Sequence, residues 1–152
     1  MWRGAKGDSY VGEWKMGKAE GYGVHVWTNG DRYEGEFSQC LKHGQGTERF
    51  ANGDLYKGEY VKGKPSGYGD YYWSNGSYFK GNFKDGLREG HGMWKKASGH
   101  SDKYEGEYHQ DKKHGYGIFS WASGNVYKGN YSEDLRNGYG EMFWGDGSYY
   151  KG

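Results

Sequence analysis

The sequence is short of most things that commonly hold a small domain together. It has one cysteine, Cys40, and one proline, Pro65, among 152 residues. A lone cysteine excludes an intrachain disulfide framework and fits a reducing compartment. No apolar run approaches the roughly 18 residues needed to span a bilayer. The opening Met1-Trp-Arg-Gly-Ala5 has no apolar stretch of the kind a secretory signal carries. Charge of one sign is missing too. The 21 basic and 20 acidic residues leave a formal net charge of +1, which gives no general attraction to nucleic acid or to an acidic membrane. Aliphatic side chains are scarce, which by itself suggests disorder, but disordered segments are also poor in aromatics. Here aromatics make up 20% of the chain, so the composition fits a folded protein that buries rings against glycine backbone.

What is present is repetition. An aromatic followed two residues later by glycine occurs at Tyr10/Gly12, Tyr33/Gly35, Tyr56/Gly58, Phe79/Gly81, Tyr104/Gly106, Tyr127/Gly129 and Tyr150/Gly152. The spacing is 23 residues throughout, except for 25 after Phe79. Counting from each of the first six anchors, a Gly-x-Gly begins at position +11: Gly21/Gly23, Gly44/Gly46, Gly67/Gly69, Gly90/Gly92, Gly115/Gly117 and Gly138/Gly140. Position +17 holds a large aromatic, Trp27, Phe50, Trp73, Trp121 or Trp144, and the fourth copy departs with Lys96. That copy also carries a two-residue insertion around residues 97–101.

Each copy reads as a β-hairpin. Tyr10-Val-Gly-Glu-Trp14 alternates with period two, and Tyr22 to Trp27 is rich in β-branched and aromatic residues. Asn29-Gly-Asp31, Asn52-Gly-Asp54 and Asn75-Gly-Ser77 supply the positive φ angles that tight turns need. The links are too short for parallel crossovers, so the expected fold is all-β: an elongated, curved antiparallel sheet of tandem hairpins. A register with Gly12 opposite Gly23, Trp14 opposite Gly21 and Trp27 opposite Tyr33 would lay bulky rings over glycines on one face. The expected organisation is a single array over 1–152. It has six full repeats at 10–32, 33–55, 56–78, 79–103, 104–126 and 127–149, with partial copies at both ends. The half-copies at 2–9 and 148–152 fit either caps or a fragment of a longer array. Open strand edges there would invite homo-oligomerisation by edge or end-to-end pairing.

The unit Tyr-x-Gly-x-Trp-x-x-Gly-Lys-x-x-Gly-x-Gly, complete at Tyr10 to Gly23, resembles the MORN (membrane occupation and recognition nexus) repeat. Tyr56 to Gly69 and Lys113 to Gly117 carry the same resemblance. Departures are Phe79 for tyrosine, and Cys40, Asp111 and Asp134 for the loop glycine. The resemblance implies a non-catalytic antiparallel hairpin array that binds partner proteins along a groove, dimerises, and occurs in cytoskeletal, ciliary and membrane-apposed proteins. It also implies phospholipid binding, or service as the accessory array of an enzyme such as a phosphatidylinositol phosphate kinase or a lysine methyltransferase.

Residues of catalytic or metal-binding type are scattered. The six histidines fall in different copies and mostly at different positions, so they read as solvated loop residues. Glu13, Glu36, Glu59 and Glu107 form a row that reads as a cross-strand charge ladder with lysines such as Lys57 and Lys128. No nucleophile stands beside a base, and the Gly-x-Gly pairs do not extend to a phosphate-binding loop. The expectation is therefore no enzyme, no cofactor, no metal and no nucleic acid.

Binding residues are sought among positions that vary from copy to copy. Position +15 reads His25, Glu48, Tyr71, Trp94, Phe119 and Met142, and its last four members are large and apolar. Tyr71, Trp94, Phe119 and Met142, beside the constant rings Trp73 and Trp121, are the candidate contacts for a helix or extended peptide of a partner protein. The alternative is a basic edge of hairpin loops, Lys15, Lys18, Lys42, Lys62, Lys64, Lys84, Arg88, Lys112 and Lys113, holding an anionic phospholipid at about 1 kcal/mol per charge. The expected location is the cytoplasm, at a cytoskeletal, ciliary or membrane-apposed site.

Overall fold

A computed structural model describes residues 2–3 by their backbone, and residues 7–97 and 99–152 in full. The N-terminal half-copy and the insertion lie partly outside the described residues. Among the described residues there are fourteen strands: β1 (Trp2–Arg3), β2 (Ser9–Lys15), β3 (Lys18–Val26), β4 (Arg32–Ser38), β5 (Leu41–Arg49), β6 (Leu55–Val61), β7 (Lys64–Tyr72), β8 (Tyr78–Lys84), β9 (Leu87–Lys95), β10 (Lys103–His109), β11 (Lys112–Ser120), β12 (Val126–Ser132), β13 (Leu135–Phe143) and β14 (Tyr149–Lys151). The fold is all-β, built of tandem antiparallel hairpins. Two compact units form, Met1–Ser74 with Lys84–Gly86, and Asn75–Phe83 with Leu87–Gly152. In the first, β1 to β7 lie side by side in chain order; in the second, β8 to β14 do the same.

Within a repeat, the two strands are joined by a two-residue turn with both residues at positive φ, as at Met16 (54°) and Gly17 (78°). This turn type matches the right-handed twist of the strands it joins. Between repeats the chain turns through Trp27 to Asp31. There the Trp27 N–H donates to the Asp31 carbonyl at 2.9 Å, and the Gly30 N–H donates to the Trp27 carbonyl at 3.0 Å. That closure corrects the expected register. Trp27 belongs to the turn, so His25, not Trp27, pairs with Tyr33.

Gly12 does lie opposite Gly23, and the equivalent pairs hold at Gly35/Gly46, Gly58/Gly69, Gly106/Gly117 and Gly129/Gly140. Trp14, however, faces Ala19 rather than Gly21. A bulge intervenes: Glu13 alone opposes the three residues Glu20, Gly21 and Tyr22, and Gly21 takes φ +83° to make it. The two glycines of each pair therefore differ in role. The first bends the strand, and the second clears a floor for a ring.

That ring is the anchor. Tyr10, Tyr33, Tyr56, Phe79 and Tyr104 are at most 2% exposed. Each tyrosine lies across its glycine pair and donates its hydroxyl to the carbonyl of the bulge residue: Tyr33 to Glu36 at 2.7 Å, Tyr56 to Glu59 at 2.9 Å, Tyr104 to Glu107 at 2.9 Å. The anchors alternate with the rings at position +4 in an edge-to-face chain. In the first unit Tyr10–Phe37, Phe37–Tyr33, Tyr33–Tyr60 and Tyr60–Tyr56 have centroids 5.0–5.2 Å apart, near right angles. The second unit repeats the pattern through Phe83, Phe79, Tyr108, Tyr104, Tyr131 and Tyr127. Each aromatic buries about 150–250 Å², or roughly 4–6 kcal/mol at about 25 cal/mol per Å² before chain entropy is subtracted. These rings are the core.

Candidate functional site

Antiparallel partners share a face, so the register decides which side chains accompany the core rings. His25 pairs with Tyr10 and Tyr33, Glu48 with Tyr33 and Tyr56, and Tyr71 with Tyr56. Trp94 pairs with Tyr104, Phe119 with Tyr104 and Tyr127, and Met142 with Tyr127 and Tyr150. Every +15 residue thus stands on the ring face, as do the +17 rings two residues further on. The opposite face presents exposed Tyr22, Tyr68, Tyr116 and Tyr139.

In the first unit the ring face gathers His25 stacked on Trp27 at 4.1 Å, and Tyr71 against Trp73 at 4.8 Å and Phe50 at 6.0 Å. In the second unit Trp94 meets Phe119 at 6.2 Å, and Phe119 meets Trp121 at 4.7 Å. Met142 lines a separate hollow with Tyr127, Trp144 and Tyr150. All six candidate partner contacts are half-buried: each touches the core on one side and solvent on the other.

The nine basic candidates divide. Lys15, Lys18, Lys62, Lys64, Lys84 and Lys112 are exposed at or beside the hairpin tips, and Lys112 reaches Glu133 at 3.4 Å. Lys42, Arg88 and Lys113 instead fold over the rings, with side chains only 20%, 20% and 24% exposed. They occupy position +9, expected at the basic edge formed by the hairpin loops. The loop is two residues long, so +9 lies within the second strand, on the ring face. Lys42 sits over Trp27, Tyr33 and Tyr60, Arg88 over Phe79 and Tyr108, and Lys113 over Tyr104, Phe119 and Tyr131. Each also has a carboxylate: Glu48 at 2.9 Å, Asp111 at 2.6 Å and Asp134 at 3.7 Å respectively.

Glu48 is therefore not a gap in the aromatic row. It is buried, accepting from Lys42 and from the Tyr60 hydroxyl at 2.8 Å. Burial, with the Glu48 carboxylate beside it, pushes the Tyr60 hydroxyl well above its ordinary range. Burial likewise raises Tyr33, Tyr56, Tyr104 and Tyr108. Burial lowers His25 against the opposing pull of Asp8, with a smaller contribution from Lys42 in the same direction as burial.

The glutamate row also differs from expectation. The Glu36 and Glu59 carboxylates each accept, at 2.6 Å, the backbone N–H released by the bulge, from Gln45 and Tyr68 respectively. They serve the bulge and are not rungs of a charge ladder. Aspartates at both margins bind consecutive repeats. At one margin Asp31 accepts from the Ala51 N–H at 2.7 Å, Asp54 from Ser74 at 2.9 Å and Asp102 from Ala122 at 2.8 Å. At the other margin, the backbone N–H of Cys40, Asp111 and Asp134 donates to the carbonyl of Ala19, Arg88 and Lys113. The Asp134 carboxylate also accepts from the Lys113 N–H at 2.8 Å, and the Cys40 Sγ lies 3.4 Å from the Ala19 N–H. The side chains that replace the loop glycine thus make a bond that glycine lacks. Among the described residues, no three His, Cys, Asp or Glu side chains converge on a metal position.

In the second unit a hollow of about 400 Å³ opens on the ring face between Arg88, Trp94, Tyr104, Tyr108, Lys113, Phe119 and Asp134. Its walls are aromatic and its rim carries two cations and one carboxylate.

A family model described as MORN repeat matches residues 10–32, 33–55, 56–78, 79–101, 104–126 and 127–149. Over 44 residues the chain is 46% identical to Alsin of Homo sapiens and, equally, to Alsin of Mus musculus. That stretch is 29% of this chain and 3% of either relative, so the likeness covers a small part of a far longer protein. The fold is similar to that of the SAS-4 (dCPAP) TCP domain of Drosophila melanogaster, solved in complex with a proline-rich motif of Ana2 (dSTIL). The TM-score is 0.53 at 12% identity, covering 99% of this chain and 93% of that one.

Proposed function

The chain belongs to the MORN-repeat family, and on that premise we propose that it is a non-catalytic scaffold whose ring face holds a segment of a partner protein. One observation carries the reading. The side chains that vary between repeats, Tyr71 in one unit and Trp94, Phe119 and Met142 in the other, sit half-exposed on the face whose constant rings form the core. Apolar side chains fixed by the core but open to solvent are pre-organised, so a ligand gains contact area without ordering them. A domain of similar fold in complex with a proline-rich motif supports a sheet of this kind holding a peptide.

The test is a peptide-display selection on the immobilised chain, repeated on the Trp94→Ala/Phe119→Ala variant. Sequences enriched on the parent should lose more than about 1 kcal/mol of binding for each ring removed. Far-ultraviolet circular dichroism should stay unchanged, because neither ring belongs to the edge-to-face core. Equal enrichment on parent and variant would remove the ring face from consideration.

A further inference from the structure

Independently of what the ring face holds, we infer that the first unit carries a second docking surface on the opposite face, along its hairpin tips. Its occupant is a segment of a partner protein with acidic residues toward both ends and aliphatic residues at its middle.

The surface follows from the register at the tips. Lys15 pairs with Lys18, Ser38 with Leu41 and Val61 with Lys64. Each pair adjoins one on the ring face, Trp14 with Ala19, Phe37 with Lys42 and Tyr60 with Pro65, so these six side chains stand on the other side of the sheet. Taken from β2 to β7 they place an aliphatic pair, Leu41 and Val61, between lysines. Lys62 adds a further cation at the turn after Val61. Leu41 and Val61 are 47% and 45% exposed, and all four lysines are exposed. Backbone bonds from tip to tip hold the row in line. The Cys40 N–H donates to the Ala19 carbonyl at 3.0 Å, and the Gly63 N–H to the Lys42 carbonyl at 2.8 Å. An occupant therefore meets a surface that is already ordered.

Charge decides the chemistry of the occupant. Among the described residues, none of the Lys15, Lys18, Lys62 and Lys64 ammonium groups forms an ion pair. The carboxylates of this face are committed to backbone: Glu20 accepts the Gln39 N–H at 2.8 Å, and Glu36 and Glu59 accept the N–H groups released by the bulges. The second unit is the contrast, since Arg88, Lys112 and Lys113 each meet a carboxylate there. Four unmatched cations around an exposed aliphatic pair complement an acidic segment that brings aliphatic side chains of its own. A bilayer fits less well. The outermost turn residues of this unit are Met16-Gly17, Gln39-Cys40, Lys62-Gly63 and Asp85-Gly86, and only Met16 among them offers an aliphatic side chain to insert. The aliphatic pair lies on the face of the sheet, behind the tips.

The experiment is isothermal titration of the 152-residue chain with three synthetic peptides. Lys15 on β2 and Lys64 on β7 are five strand spacings apart, about 24 Å before twist, which a helix of roughly 16 residues spans. The first peptide has that length, with glutamates in its outer thirds and leucines in its middle. The second has serine for leucine, and the third has lysine for glutamate. The first should bind at least about tenfold tighter than either relative and weaken as salt rises. It should lose about tenfold or more on Lys15→Glu/Lys18→Glu/Lys64→Glu, and again on Leu41→Ser/Val61→Ser. These side chains are exposed at strand ends, so circular dichroism should not change. Trp94→Ala/Phe119→Ala, on the other face, should leave this binding as it was, which separates failure here from failure of the ring-face reading. No binding of the first peptide, equal binding of the serine peptide, tighter binding of the lysine peptide, or indifference to either tip variant overturns the inference. Vesicles of equimolar phosphatidylserine and phosphatidylcholine complete the set: lysine-dependent co-sedimentation without peptide binding overturns it in favour of a lipid surface.

Discussion

Substituting Gly69 by alanine tests the ring-over-glycine arrangement most directly. Gly69 has ordinary extended backbone, so alanine meets no conformational penalty there, and restricting the unfolded chain would by itself stabilise by about 0.4–1 kcal/mol. The obstacle is steric. A Cβ at Gly69 would overlap the hydroxyl and ring carbons of Tyr56, which is wholly buried and tied to the Glu59 carbonyl. Shifting a packed ring costs about 1–3 kcal/mol, and expelling it approaches the roughly 3–5 kcal/mol of removing a buried aromatic. The expected net loss is about 2–3 kcal/mol. Gly76 provides the contrast: it has φ +96° with nothing near its notional Cβ, so alanine there costs only the left-handed strain, about 1 kcal/mol net. The assay is urea unfolding followed by tryptophan fluorescence and circular dichroism together, with hydrogen exchange of β6 and β7 amides to localise the effect. Adding Tyr56→Ala should absorb most of the Gly69→Ala cost, a coupling of about 2 kcal/mol. Additive losses, or a neutral Gly69→Ala, would refute the arrangement.

Two further outcomes are expected. At the hairpin tip, Asp134→Ala should destabilise by about 1–3 kcal/mol, because it leaves a side chain at φ +70° without its bond to the Lys113 N–H, whereas Asp134→Gly should cost less, by removing the strain along with the bond; urea midpoints that rank glycine below alanine would contradict this. Tyr131 has its hydroxyl pushed up to about 12, by burial first and Tyr127 second, against an unfolded value near 10; since the raised group favours the protonated fold, stability should be whole below about pH 10 and fall as pH climbs toward about 12, which unfolding midpoints and absorbance at 295 nm can follow.

The repeat, the hairpins and the glycine pairing were legible because the signals are local and recur six times. Anchors, glycines and turn residues stand at fixed intervals, and any antiparallel hairpin that keeps them in phase sets Gly12 against Gly23. The same logic put the +15 residues on the ring face. What escaped was whatever depended on where residues drop out of the ladder. A bulge at Gly21 and a closed turn from Trp27 to Asp31 each shift the pairing by two, and glycine in sequence does not say whether it bends a strand or floors a ring. The length of the hairpin loop decided the fate of Lys42, Arg88 and Lys113. Read as a polar loop, their stretch put three cations at an edge; as a two-residue turn it puts them over the rings. The available signal was the alternation resuming immediately after Gly17 and its equivalents, with Cys40, Asp111 and Asp134 as residues able to hold positive φ.

The aspartates at the two margins set the size of the interchangeable part. Their bonds across a seam run to the same position in the neighbouring repeat, as when Asp31, Asp54 and Asp102 accept the backbone N–H of Ala51, Ser74 and Ala122. Excising residues 104–126 would bring Arg88 beside Asp134 in place of Asp111, and Asp102 beside the Gly145 N–H in place of Ala122. The chemistry of the join would be renewed without any further change. Removing one residue more or fewer would put every side chain on the wrong face. Such a chain can lengthen or shorten by whole cassettes of 23 residues with its seam bonds remade at each join.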